Sequence, residues 1–273
     1  TALTGMTINL RTGTDSEVAD KVVSLLGKVS PQSVWDAVFA GADFGAGFWD
    51  LLAGGPVRGA EQRRIIEHAI GPVWEANHVW LIFVLVVLWT GFPAAFAAVA
   101  STLYVPLTAT AVGVILRGAG FAFRKAVTGV ELRRLFGATF AASSLLTPFF
   151  LGTVAGAIAS GRVPARGVGA PMASWTHPTS LLGGVLAVAV CAFLAATFLA
   201  ADAPRSRQPA LADGFRARAM VAGAVSGGIA LAGILVLRAD APVLYEGLTG
   251  RAAPLIGLSG VGGAASLGLL AAR

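Results

Sequence analysis

Charge is scarce in this chain. Asp, Glu, Lys and Arg make up 12% of its 273 residues, about half the ~25% usual for soluble domains. From Ala76 to Leu116 none of the four occurs. Such a deficit excludes a soluble globular fold. Cysteine is nearly absent: Cys191 stands alone in an apolar run, which excludes a disulfide framework and any cysteine-built metal site. The usual catalytic signatures are missing too. There is no GxxxxGK[ST] phosphate loop, no GxGxxG after a strand, and no HExxH, CxxCH or CxxC, so the common nucleotide and metalloenzyme readings fail. The first 30 residues are polar and lack the basic, apolar and cleavage regions of a signal peptide.

What is present is apolar: 56% of residues are hydrophobic. The chain reads as an all-α polytopic membrane protein. Residues 1–32 form a polar N-terminal segment, with Val18, Val22, Leu25, Leu26 and Val29 near the spacing of a short amphipathic helix. Residues 33–273 form the transmembrane domain. The uncharged run 76–116 is about twice the ~20 residues that one span needs, so it must turn, and Thr90–Pro93 ("TGFP") is the place. Spans are expected near 33–55, 72–91, 96–118, 135–159, 179–201, 218–237 and 252–271, about seven in all. Residues 56–70 read as a charged loop or interfacial helix. Arginine and lysine concentrate in 56–70, 117–134 and 202–218. These fall on one side, which the positive-inside bias makes cytoplasmic; the N-terminus is then outside and Arg273 inside. The net charge of +6 is explained by these loops, and no nucleic-acid partner is implied.

Three stretches could carry chemistry. Asp36, Asp43 and Asp50 are spaced by seven residues, close to two turns, and so line one stripe of the first helix. A carboxylate within a span usually faces the bundle interior or a polar path. Gly41 and Gly45 form a small-xxx-small pattern that admits a second helix closely. Asp43 is therefore a buried packing group or a functional acid, whereas Asp36 and Asp50, near the helix ends, read as solvated. The second stretch, "GPVWEANHVW", puts Glu75 and His78 at i, i+3 and Trp74 and His78 at i, i+4 where a charged loop meets the membrane. Exchangeable groups at that boundary suit proton uptake. An aromatic belt with interfacial polar residues is the alternative, and one histidine is weak support for a haem ligand. The third, "LRGAGFAFRK", carries Arg117 and Arg124, which could hold a lipid phosphate, a quinone headgroup or a haem propionate. Topology-setting charge is the simpler reading of Arg124 and Lys125. His177 and His68 are given no role.

These stretches, in this order, resemble the second subunit of the cytochrome bd quinol oxidase family. "GADFGAGFWDLL" meets the family's G-x-D-x-G-x-G with Gly41, Asp43, Gly45 and Gly47. "RRIIEHAIGPVWEANHVWLI" meets W-[DE]-x-N-x-x-W with Trp74, Glu75, Asn77 and Trp80, and "RGAGFAFR" follows. The resemblance is strong over residues 40–160 and continues in hydropathy to the end. It implies a subunit whose helices pack as four-helix bundles, in a bacterial plasma-membrane oxidase that oxidises quinol and reduces dioxygen to water. Haem b and haem d would lie in a haem-bearing partner, subunit I, with which this chain forms a heterodimer. The catalytic residues would be there, and this chain would bind no metal itself. A small single-span subunit and a structural quinone are further candidates. Glu75 falls on an acidic position tied to a proton path, with His78 beside it; Asp43 falls on an acid at a helix–helix contact. The family usually begins with an uninterrupted apolar helix and has one or two spans beyond the end of this chain, which therefore reads as shortened. Two other readings stay open on the residues alone: a stand-alone transporter or channel, favoured by in-membrane carboxylates and glycine-rich helices, and a purely structural membrane anchor.

Overall fold

The structure, a computed structural model, describes residues 31–55, 59–164, 167–203 and 209–272, with side chains for all of these except 31–40, 70–76, 78, 80, 125 and 209. The expected amphipathic helix in the N-terminal segment lies outside the described residues. Among those described, the secondary structure is helical throughout: α1 (Pro31–Leu51), α2 (Ala60–Gly91), α3 (Pro93–Thr102), α4 (Tyr104–Ala126), α5 (Val130–Ala159), α6 (Ala173–Thr176), α7 (Pro178–Asp202), α8 (Pro209–Asp240), α9 (Pro242–Thr249) and α10 (Ala253–Ala271).

Five of these helices are long and apolar enough to cross a membrane: α4, α5, α7, α8 and α10. A sixth span results if the end of α2 and α3 are counted together, although they meet at 113°. Among the described residues this makes five or six of the roughly seven spans expected. The first helix explains part of the gap. It runs 21 residues, long enough for a bilayer, but three aspartates and three glycines lower its apolarity. It survives because other helices surround it. The second correction concerns 96–118. The chain does break at Phe92, before Pro93, but it breaks again at Leu103, and the apolar span is α4, from Tyr104. Residues 60–70, given as loop or interfacial helix, are the first turns of α2.

Helices α1, α4, α5 and α7 form a bundle. α5 packs against α4 and α7, and α1 lies against α5 and α7. α8 packs on the outer side of α7 and carries α10. The buried apolar cluster is built mostly from small residues: Ala46, Ala192, Ala195, Ala196, Ala219 and Ala222 surround Trp49, Ile66, Leu199 and Phe215. Lipid is as apolar as leucine, so association relies on close van der Waals approach and on hydrogen bonds between helices. Many other large apolar side chains face outward, among them Ile82 and Trp89 on α2 and Leu255 and Leu269 on α10.

Candidate functional site

Asp43 lies midway along α1 and is 1% exposed; Arg117 on α4 is fully enclosed. The guanidinium grips the carboxylate with two nitrogens, Nη2 to Oδ1 at 2.6 Å and Nη1 to Oδ2 at 3.0 Å. Nη2 also donates to the Asp43 carbonyl at 2.8 Å, and Nε donates to the Ser144 hydroxyl of α5 at 2.9 Å. Phe44 and Phe140 flank the cation, their ring centres 4.8 and 5.0 Å from its central carbon. Desolvating two charges costs several kcal/mol each, and only a bidentate geometry with further hydrogen bonds offsets it. Arg117 has both, with every nitrogen engaged inside the bundle. The headgroup or propionate expected beside it is replaced by Asp43.

A second ion pair repeats the first one turn-pair further on. Arg124 Nη1 donates to Asp50 Oδ2 at 3.0 Å. Asp43 and Asp50 are seven residues apart on α1, Arg117 and Arg124 seven apart on α4, and both pairs are separated by 74 residues in the chain. The two helices therefore run parallel with matched charge stripes, their rungs about 10 Å apart at ~1.5 Å per residue. A one-residue slip would rotate either stripe by about 100° and break both rungs. Asp50, expected to be solvated, is 4% exposed. Arg63 Nε approaches its Oδ1 at 3.4 Å, and Arg124 Nε reaches Glu67 of α2 at 3.1 Å. Arg124 thus joins α1, α2 and α4.

The glycines of α1 let it pack closely on its other neighbours, α5 and α7. A methyl group added at Gly45 would overlap the Cys191 carbonyl of α7, and one at Gly47 would overlap Ser144 of α5. At Gly41 it would meet only the mobile end of Leu194, at 2.6 Å. Trp49 completes the contact: its indole N–H donates to the Ala192 carbonyl at 2.8 Å.

The opposite end of the bundle holds a cluster that sequence reasoning missed. Asp240, at the end of α8, accepts from Arg162 Nη2 at 2.8 Å, from the Thr179 hydroxyl at 2.6 Å and from the Thr179 backbone N–H at 3.0 Å. His177 Nδ1 stands 3.6 Å from the same carboxylate. Thr179 is in the first turn of α7, whose N-cap residue His177 makes no side-chain capping bond. Asp240 thus supplies from a neighbouring helix the acceptor that an N-cap side chain ordinarily provides. No local spacing signals this, because the partners lie 61 to 78 residues apart.

Trp74, Glu75, Asn77, His78 and Trp80 all fall on α2. Asn77 is half-buried; the side chains of Trp74, Glu75, His78 and Trp80 lie outside the described residues. The two arginine stretches do come together at one end: Arg63, Arg64, Arg124, Arg133 and Arg134 line a common cleft.

Comparisons with known proteins give this arrangement a context. A sequence profile for the cytochrome bd terminal oxidase subunit II matches residues 36–272. The chain is 29% identical over 153 residues to a cytochrome bd ubiquinol oxidase subunit 2 from Bacillus subtilis (strain 168), covering 55% of this chain and 44% of that protein. It is 29% identical over 170 residues to a cytochrome bd-I ubiquinol oxidase subunit 2 from Escherichia coli (strain K12), covering 60% of this chain and 44% of that one. The matches thus span under half the length of these relatives. With the profile running through both charge stripes and nearly to the end of the chain, this protein belongs to the family of subunit II of the cytochrome bd terminal oxidases.

Proposed function

We propose that the chain serves in a quinol:dioxygen oxidoreductase as the scaffold of a haem-bearing subunit I and as part of the route by which protons enter from the cytoplasm. The observation that carries the scaffold reading is the locked pair of charge stripes. Two buried acids and two arginines fix the register of α1 and α4, and the remaining glycine contacts hold α1 against α5 and α7. A rigid bundle of this kind presents its outward apolar helices, notably α2 from Val79 to Trp89, to lipid and to a partner. Haem iron needs an axial nitrogen or sulfur donor. The two histidines with described side chains do not gather at one place: His68 is exposed, and His177 sits against Asp240. The proposal puts haem b and haem d in the partner, as the family resemblance implies. For a structural quinone, an apolar crevice of about 550 Å³ between α1, α5, α7 and α8, lined by Phe48, Trp49, Phe149 and Ile229, offers room for part of an isoprenoid tail.

The proton reading rests on Glu75 and His78, three residues apart on α2 and so on one face of it. The basic end of the bundle, where Arg63, Arg64, Arg124, Arg133 and Arg134 collect, faces the cytoplasm of a bacterial plasma membrane in this proposal. Tagged purification from the native membrane, with a reduced-minus-oxidised absorbance spectrum, tests it. A second large membrane subunit and stoichiometric haem should co-elute, and Glu75→Ala should keep that haem while losing quinol turnover. A colourless chain without a partner would overturn the scaffold reading; full turnover in Glu75→Ala would overturn the proton route.

A further inference from the structure

The cleft at the basic end has a volume of about 760 Å³ and opens between α1, α2, α4 and α5. Five arginines line it: Arg63, Arg64, Arg124, Arg133 and Arg134. Asp50 and Glu67 line it as well, but both acids are engaged. Asp50 is held by Arg124 and Arg63, and Glu67 by Arg124. Arg64 pairs with Glu61 at 2.6 Å. Among the described residues, Arg133 donates to the Val127 carbonyl, at 3.3 Å, and neither it nor Arg134 has an ion pair. Five guanidiniums thus meet three carboxylates. The surplus cations are neighbours at the N-terminal end of α5; Glu131 of the same end does not line the cleft, so an anion in the cleft would relieve their mutual repulsion.

The same cleft also has apolar lining at its surface. Leu51 and Val130 line it and are 53% and 65% exposed. Exposed cations beside exposed apolar side chains match an amphiphile better than a soluble anion. We propose that this cleft binds the phosphate headgroup of an anionic membrane lipid, with Arg133 and Arg134 on the phosphate and the acyl chains leaving over Leu51 and Val130. Basic recesses between spanning helices hold such headgroups by the same combination of charge and apolar contact. The site requires that the chain lie in a membrane, but it does not depend on oxidase activity. It also gives the surface arginines a role separate from the two buried rungs.

Direct titration tests this. The chain, in its native assembly, would be placed in phosphatidylcholine nanodiscs, and phosphatidylglycerol added while bound lipid is counted by native mass spectrometry. Each arginine near an anionic surface is worth about a factor of five, so Arg133→Ala/Arg134→Ala should bind the lipid about thirtyfold more weakly. Arg133→Lys/Arg134→Lys keeps the charge and should restore most of the affinity. Both arginines are exposed and outside the buried rungs, and an unchanged circular-dichroism spectrum confirms that the bundle persists. Affinity within twofold of the parent in the alanine variant would overturn the proposal. So would inorganic phosphate that competes as well as the lipid does, since the cleft would then be a site for the free ion.

Discussion

The buried Asp43–Arg117 pair permits a sharp test by a double-mutant cycle. Asp43→Leu strands a guanidinium that has no exposure to water. Ser144 and the rings of Phe44 and Phe140 remain beside it. Ring contacts recover only part of the loss, at ~0.5–2 kcal/mol for a desolvated cation–π pair. Removing one partner of a buried pair typically costs about 3–5 kcal/mol, and Arg117→Met should cost a similar amount by stranding Asp43. The combination Asp43→Leu/Arg117→Met removes both charges. It leaves little unsatisfied, because Ser144 still donates to the Phe140 carbonyl. The double variant should therefore lie within about 1 kcal/mol of the parent, or above it by up to ~4 kcal/mol. The coupling energy should exceed ~3 kcal/mol. Equilibrium unfolding in mixed micelles of rising SDS content, followed by tryptophan fluorescence, measures all four corners of the cycle. Losses that simply add in the double variant would refute the reasoning, for the two charges would then be stabilising the bundle independently.

Other outcomes follow from the same geometry. Gly45→Val should overpack the α1–α7 contact and cost at least ~1–3 kcal/mol in the same titration. Gly227→Ala, a helical site with open space around it, should be neutral or stabilising by up to ~1 kcal/mol. Trp49→Phe removes the bond to the Ala192 carbonyl and should cost about 1 kcal/mol, without loss of assembly. Asp240→Ala leaves the first turn of α7 and Arg162 without their acceptor, and amide hydrogen exchange should rise at Thr179 and Ser180 but not at Asp43; equal protection at Thr179 in the variant would exclude the capping role.

The charge stripes show how much was legible in the sequence. The column of acids on α1 was visible from its spacing of seven. So were Arg117 and Arg124, which have the same spacing, but the two columns were not matched to each other, because nothing local says which helices are neighbours. As a result Asp50 was read as solvated from its place near a helix end, and Arg124 as a topology charge. The cluster at Asp240 was illegible for a stronger reason. Its members come from three segments that only packing joins, and a carboxylate that caps a helix from a neighbour leaves no N-cap signature at that helix.

Composition determined the class of solvent. With one residue in eight charged and a 41-residue run without any charge, the chain can bury its backbone polar groups in lipid only as helices, and glycine and proline punctuation sets most of their ends. Motif spacing then carried the family resemblance. Tertiary structure alone decided which side chains lost contact with water. Arg117 is as basic in sequence as Arg133, yet one is locked inside the bundle and the other is exposed above a cleft. The difference arises because the Arg117 side chain reaches between α1 and α5, where Asp43 and Ser144 take up its nitrogens away from water, whereas Arg133 stands at the exposed end of α5.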